Sequence, residues 1–298
     1  MGTELDSRGV DTHDPLWSAL ALTTAPEAVR QVHTDYLKAG ARVITTNTYQ
    51  ATLPALLRAG HDAHRAREVI AAGARLAGEA ARRFEAEHPE AQLLIAGGLG
   101  PYGAYLADGS EYTGVYDVGA LDAPVFRDVH LPRIEMLAGE GIDLFALETL
   151  PRLDEAQALV GAVEDLAAES ECWVSFQVRP DGAHLADGTP LAEAAAWAAD
   201  QETVVAVGVN CVAPDVVPRA LPVLREVTAK PLVAYPNSGD VYDPVTRTWR
   251  ATVGRGRLTA STSAWLDAGV RLIGGCCRTT PADTAELRDA VRSTARPR

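Results

Sequence analysis

The chain has 298 residues, 47% of them hydrophobic and 22% charged, enough for one large α/β domain or two smaller ones. Its 27 basic and 40 acidic residues leave a net charge of −13 without a basic cluster, which argues against nucleic acid or an anionic membrane as partner. No apolar run is long enough to cross a bilayer, and Met1-Gly2-Thr3-Glu4-Leu5-Asp6 lacks the basic and apolar regions of a secretory signal, so a cytoplasmic protein is expected.

Apolar, β-branched runs alternate with alanine-rich stretches of helical character through most of the sequence. Strands are predicted at 42–46, 92–97, 143–147, 172–178, 203–209, 231–235 and 270–274. Helices are predicted at 25–39, 62–84, 123–140, 153–169, 190–200, 215–228, 258–268 and 281–294, with starts at Asp154, Thr189 and Thr280. Such repeated strand–helix units imply a parallel sheet with right-handed crossovers. No interior linker or low-complexity stretch divides the chain, so 1–298 is read as a single domain. Seven strands are visible where a closed (β/α)8 TIM barrel needs eight, and the missing one belongs before the helix near 25–39. The expected fold is therefore an α/β TIM barrel whose first strand is truncated or missing at the N-terminus.

The strand ends carry the polar inventory: Thr45-Thr46-Asn47-Thr48-Tyr49, Gly97 to Gly103, Leu147-Glu148-Thr149, Asn210-Cys211, Tyr235 to Gly239, and Gly274-Gly275-Cys276-Cys277. In parallel α/β proteins this end of the sheet carries the chemistry. Four cysteines without small-domain spacing suggest metal or catalytic use rather than a disulfide framework. Cys211, Cys276 and Cys277 each follow a buried strand, and three thiolates there would hold zinc with one coordination position open. The competing reading is that they are small buried hydrophobes. Adjacent residues of a regular strand point to opposite faces, so Cys276 and Cys277 need the kink that Gly274-Gly275 permits. Cys172 opens its strand at the other end of the sheet and is read as structural.

An open zinc–trithiolate suits a thiol substrate. With a substrate thiolate added the formal charge is 2 − 4 = −2, which keeps the bound sulfur nucleophilic and attracts a cationic alkyl donor. Thiol alkylation is the chemistry that follows.

These residues resemble the homocysteine S-methyltransferases. The resemblance rests on Gly208-Val209-Asn210-Cys211, on Gly274-Gly275-Cys276-Cys277 with Arg278-Thr279-Thr280-Pro281, and on Tyr235-Pro236-Asn237-Ser238-Gly239. Glu4-Leu5 with Arg8-Gly9, and Pro15-Leu16-Trp17-Ser18, add to it near the amino end, and the long motif Gly100 to Tyr112 looks like the branch that uses S-methylmethionine. The resemblance implies a zinc-dependent barrel that transfers methyl from a sulfonium donor, S-methylmethionine or S-adenosylmethionine, to L-homocysteine and forms methionine. It implies Cys211, Cys276 and Cys277 as Zn2+ ligands and Glu148 as the group that holds the homocysteine ammonium. Tyr49 and Asn47 match positions lining the substrate pocket, and Asn237 and Ser238 are candidates for positioning the amino acid. Asp108 and Glu111 are candidates to offer charge to the sulfonium, but exposed loop carboxylates are usually just solvated. Small-molecule substrates are the only partners implied.

Two departures from the family pattern stand out. Its opening strand, ending in Asp-Gly-Gly, is absent, and the reading adopted is a true start upstream; the alternative is a catalytically weakened relative that binds zinc and homocysteine. Members using betaine carry an aromatic residue after the glutamate, and Thr149 stands there, which weakens a cation–π cage and disfavours betaine. Selenocysteine or another thiol as acceptor stays open.

Overall fold

Runs such as Val204-Val205-Ala206-Val207-Gly208-Val209-Asn210 carry apolar side chains on both faces, which suits a strand sandwiched between helices and a packed interior. A computed structural model describes residues 1–12, 14–116, 123–243, 248–250 and 258–294. Its main sheet contains β1 (Val43–Thr45), β2 (Leu94–Leu99), β3 (Leu144–Leu150), β4 (Glu171–Phe176), β5 (Val204–Asn210), β6 (Leu232–Tyr235) and β9 (Val270–Ile273). These seven strands pair in that order, every neighbour parallel, as a partial barrel. Each lies on a strand predicted from sequence, with ends shifted by a few residues. A separate antiparallel hairpin, β7 (Val241–Asp243) with β8 (Thr248–Arg250), is an addition that the apolar-run criterion does not detect.

Side chains alternate across the sheet with the period of two that strand geometry demands. Phe145, Leu147, Val174, Phe176, Val207 and Val209 face the surrounding helices and join the largest apolar cluster. Ala96, Ala146, Trp173, Ala206 and Val233 fill the opposite, interior face. Small residues dominate there because neighbouring backbones approach closely: a Cβ on Gly208 would lie 1.8 Å from the Val233 carbonyl oxygen.

Two predicted helix starts move. The helix Leu153–Leu166 is preceded by Arg152, and Asp154 sits inside its first turn, bonding Arg152 and the Glu155 N–H. The helix Leu191–Asp200 follows Pro190, because Thr189 is held in a turn by Asp187. Thr280 does open Pro281–Thr294: its N–H and hydroxyl donate to Asp283, whose own N–H returns to the Thr280 hydroxyl. Gly2–Ser7 is a short helix, tied to the cysteine turn by the Arg278 N–H donating to Thr3 Oγ1.

Among the described residues the sheet stays open between β1 and β9, each of which pairs on one side only. A cavity of about 640 Å³ begins at the strand ends and continues down this seam, reaching Arg42, Val43, Arg271 and Leu272. No helix among the described residues is long and apolar enough to cross a membrane.

Candidate metal centre and substrate cavity

The three sulfur atoms meet because neither cysteine segment is a strand where these residues sit. β9 ends at Ile273; Gly274 still donates to Ala234, and Cys276 N–H donates to the Pro236 carbonyl. The chain then turns. The N–H and hydroxyl of Thr279 both donate to the Cys276 carbonyl, and Arg278 takes a left-handed φ of 64°. A Cβ on Gly275 would strike Thr279 Oγ1 at 2.5 Å, so the turn needs glycine there. The face alternation that opposes paired ligation on a strand therefore does not apply. Cys211 follows β5 with φ 51°, its N–H bonded to the Tyr235 carbonyl.

The sulfur atoms of Cys211, Cys276 and Cys277 all lie within 4.8 Å of one another. The Cys211 and Cys276 sulfurs stand 3.6 and 4.0 Å from that of Cys277. Tetrahedral zinc with bonds of about 2.3 Å sets its sulfur ligands about 3.8 Å apart, so the spacing fits such an ion. Hydrogen bonds from Cys211 and Cys276 pull the Cys277 thiol well below its ordinary value, whereas the Cys211 and Cys276 thiols are pushed up. Cys172 is fully buried in β4, away from the cavity, and its thiol is pushed up to about 12 by burial.

Beside the sulfurs, the β3 end is bent by a bulge between Leu147 and Leu150, and Thr149 is forced to φ 63°. A β-branched residue adopts that conformation only when its surroundings impose it. Asn210 imposes it: its Oδ1 accepts the Thr149 N–H at 2.7 Å, and its Nδ2 donates to Thr149 Oγ1 at 2.7 Å. Ser175 Oγ fixes the same Asn210 oxygen and meets the Tyr235 hydroxyl, which also accepts from Trp173 Nε1. The preceding residue, Glu148, lines the cavity and hydrogen-bonds Tyr235. Burial and the neighbouring Cys276 push its carboxyl up to about 8.

The other candidate residues divide. Tyr49 lines the cavity and its hydroxyl bonds Thr149. Asn47 also lines it, with its amide nitrogen donating to the Ser18 carbonyl. Asn237 and Ser238 do not line it. Asn237 donates to the Cys211 carbonyl, and the Ser238 N–H donates to the Cys277 carbonyl, so they clamp the two cysteine segments together. Asp108 turns its own loop by accepting from the Ser110 N–H and hydroxyl. Glu111 is buried and lines the cavity, contrary to the solvated loop position considered from sequence.

Sequence reasoning missed the support behind this wall. Arg133, fully buried, donates to the carbonyls of Tyr49 and Gly100 and to His130 Nδ1. His130 Nε2 meets Glu155 Oε1, and Glu155 also accepts from the Tyr102 N–H and the Tyr116 hydroxyl. Burial holds His130 neutral, so its Nε2–H donates while Nδ1 accepts. The network ties the segments after β1 and β2 to the helix after β3. The spacing of His130 and Arg133, three residues apart on one helix, was the available signal.

The profile described as Homocysteine S-methyltransferase matches residues 1–291. A protein named homocysteine S-methyltransferase from Escherichia coli strain K12 is 46% identical over 97% of this chain and 92% of its own length. A selenocysteine Se-methyltransferase from Brassica oleracea is 38% identical over 94% of this chain and 84% of its own. The metallated form of the E. coli homocysteine methyltransferase MmuM superposes with a TM-score of 0.86 at 43% identity, covering 97% of this chain and 93% of that one. The chain belongs to the homocysteine S-methyltransferase family.

Proposed function

We propose that this enzyme moves a methyl group from a sulfonium donor, S-methylmethionine or S-adenosylmethionine, to the sulfur of L-homocysteine, with zinc held by Cys211, Cys276 and Cys277. The observation that carries the reading is the meeting of three cysteine sulfurs within 4.8 Å on the wall of a cavity that also holds Glu148. Zinc bound there would lower the pKa of a substrate thiol, so that the nucleophile exists at neutral pH.

The chain's own residues supply the rest. Glu148, oriented by Tyr235, holds the homocysteine ammonium, and that cation favours the charged carboxylate that burial alone disfavours. Tyr49 and Asn47 shape the adjoining wall. Asn237 and Ser238 act on the ligand geometry from behind rather than on the amino acid. In-line attack needs the acceptor sulfur about 3–3.5 Å from the methyl carbon, and a site fixed by buried hydrogen bonds holds that arrangement without a general base. The surrounding sheet is read as a (β/α)8 barrel open at the position of its first strand. The likeness to a selenocysteine Se-methyltransferase supports selenocysteine as a second acceptor to test, since its selenol is chemically analogous.

The test is methionine formation by reduced, zinc-loaded protein from L-homocysteine with each donor. Turnover with at least one sulfonium is expected. Zinc and homocysteine binding without turnover would instead mark a non-catalytic relative.

A further inference from the structure

The cavity contains a second buried carboxylate for which homocysteine binding gives no use. Glu111 lies in the one-turn 3-10 helix Ser110–Tyr112, is 3% exposed, and lines the cavity with Tyr49, Tyr112 and Cys211. Its Oε2 has no hydrogen-bond partner. Among the described residues no cationic side chain pairs with it, and the charge that acts on it, Asp108, has the same sign. An ionised carboxylate removed from water without a counter-ion is costly, and the cost is met when a cation arrives. Loop architecture gives Glu111 no side-chain duty, because Asp108 makes the turn. Its backbone is nonetheless pinned: a Cβ on Gly103 would stand 2.4 Å from the Glu111 nitrogen.

Position indicates which cation it meets. The hydroxyl of the next residue, Tyr112, lies 3.8 Å from Cys211 Sγ, and Glu111 and Cys211 both act on Tyr49 and Tyr112, so this segment meets the thiol cluster on the Cys211 side. Glu148 acts instead on Cys276 and Cys277. Positive charge arrives here as the ammonium of homocysteine, the ammonium of the donor and the donor's sulfonium. An ammonium asks for several hydrogen-bond acceptors, whereas a sulfonium has no N–H or O–H and asks for charge and aromatic surface. Glu111 beside Tyr49 and Tyr112 offers the second kind of environment. The sulfonium must also sit next to the sulfur cluster for its methyl group to be within reach.

We propose that Glu111 is the counter-ion of the donor's sulfonium and selects cationic methyl donors over neutral ones. This rests on the sulfonium-donor reading given above. In the transfer, the homocysteine sulfur forms a bond to the methyl carbon, the old carbon–sulfur bond breaks, and its electron pair stays on the leaving sulfur, which becomes a neutral thioether. The charge facing Glu111 thus fades as the methyl moves. Glu111 stabilises the bound donor more than the transition state, and its loss falls on KM rather than kcat.

The experiment compares wild type with Glu111→Gln as zinc-loaded holoenzymes, using S-methylmethionine, trimethylsulfonium and methyl iodide as methyl donors to homocysteine. Expected is a rise of about 10- to 100-fold in KM for both cations, with kcat unchanged or raised and with homocysteine KM and the methyl iodide rate retained. Glu111→Asp, which keeps the charge, should recover part of the loss, and it gives the same donor split if Glu111→Gln proves unstable. Equal losses with cationic and neutral donors, or no loss, overturn the proposal. A loss confined to S-methylmethionine overturns it too, because it assigns Glu111 to the donor ammonium. A wild-type protein that methylates homocysteine with methyl iodide but with no sulfonium overturns the sulfonium-donor reading itself, a result separable from all of these.

Discussion

The two walls of the cavity are built by different means. The thiol wall comes from turns after β5 and β9, where the Cys211 N–H donates to the Tyr235 carbonyl and the Cys276 N–H to the Pro236 carbonyl. The adjoining wall, with Tyr49, Glu111 and Tyr112, belongs to segments held from behind by Arg133, His130 and Glu155, which reside on two helices. Groups that do chemistry thus sit at the ends of apolar runs. The groups that keep a loop wall still sit wherever a helix happens to pass behind it.

The comparison yields predictions of decreasing size. On the thiol wall, Cys276→Ser should lose most bound zinc and at least ~10³-fold in activity, since no chemistry remains to ionise the substrate thiol. Metal analysis alongside methionine formation checks it, and a fully metallated, active variant would break the assignment. On the loop wall, Arg133→Met should cost about 3–5 kcal/mol in urea unfolding, because Glu155 is left buried without compensation. Adding Glu155→Gln should restore part of that loss; simple additivity would show that the two charges are not coupled.

Asn210 ends β5 behind the cavity, directly before Cys211. Its replacement by alanine removes both bonds that hold Thr149 at a positive φ. A destabilisation of about 1–3 kcal/mol is expected, with homocysteine KM raised more than donor KM because Glu148 precedes the released residue. Equal changes in both KM values would mean that Asn210 serves the fold alone. The smallest effect belongs to Cys172→Ser: zinc and activity kept, and stability lowered by about 1–2 kcal/mol as a hydroxyl enters an apolar strand. Loss of zinc in this variant would contradict the ligand set.

The same division explains what sequence made legible. Strands and cysteines were readable because an apolar run that ends in a polar residue is a local pattern, and all seven sheet strands lie on such runs. The β7–β8 hairpin was not, since its two three-residue strands lack any apolar period. The motif around Asn237 and Ser238 suggests substrate contacts, yet their bonds go to the Cys211 and Cys277 backbone, which only the meeting of three loops reveals. Glu111 looked like any loop carboxylate; its burial depends on tight packing against the backbone at Gly103. Arg133 and Glu155, 22 residues apart by number, carried no sign that they would share one buried network.

The most direct test of the account is methionine formation from L-homocysteine and S-methylmethionine by reduced protein, measured as loaded with zinc, stripped by chelator, and reloaded. The account predicts two methionines per donor consumed, loss of turnover on stripping, and recovery on reloading. Undiminished turnover by fully stripped protein would contradict it, as would an inert protein that carries one zinc per chain.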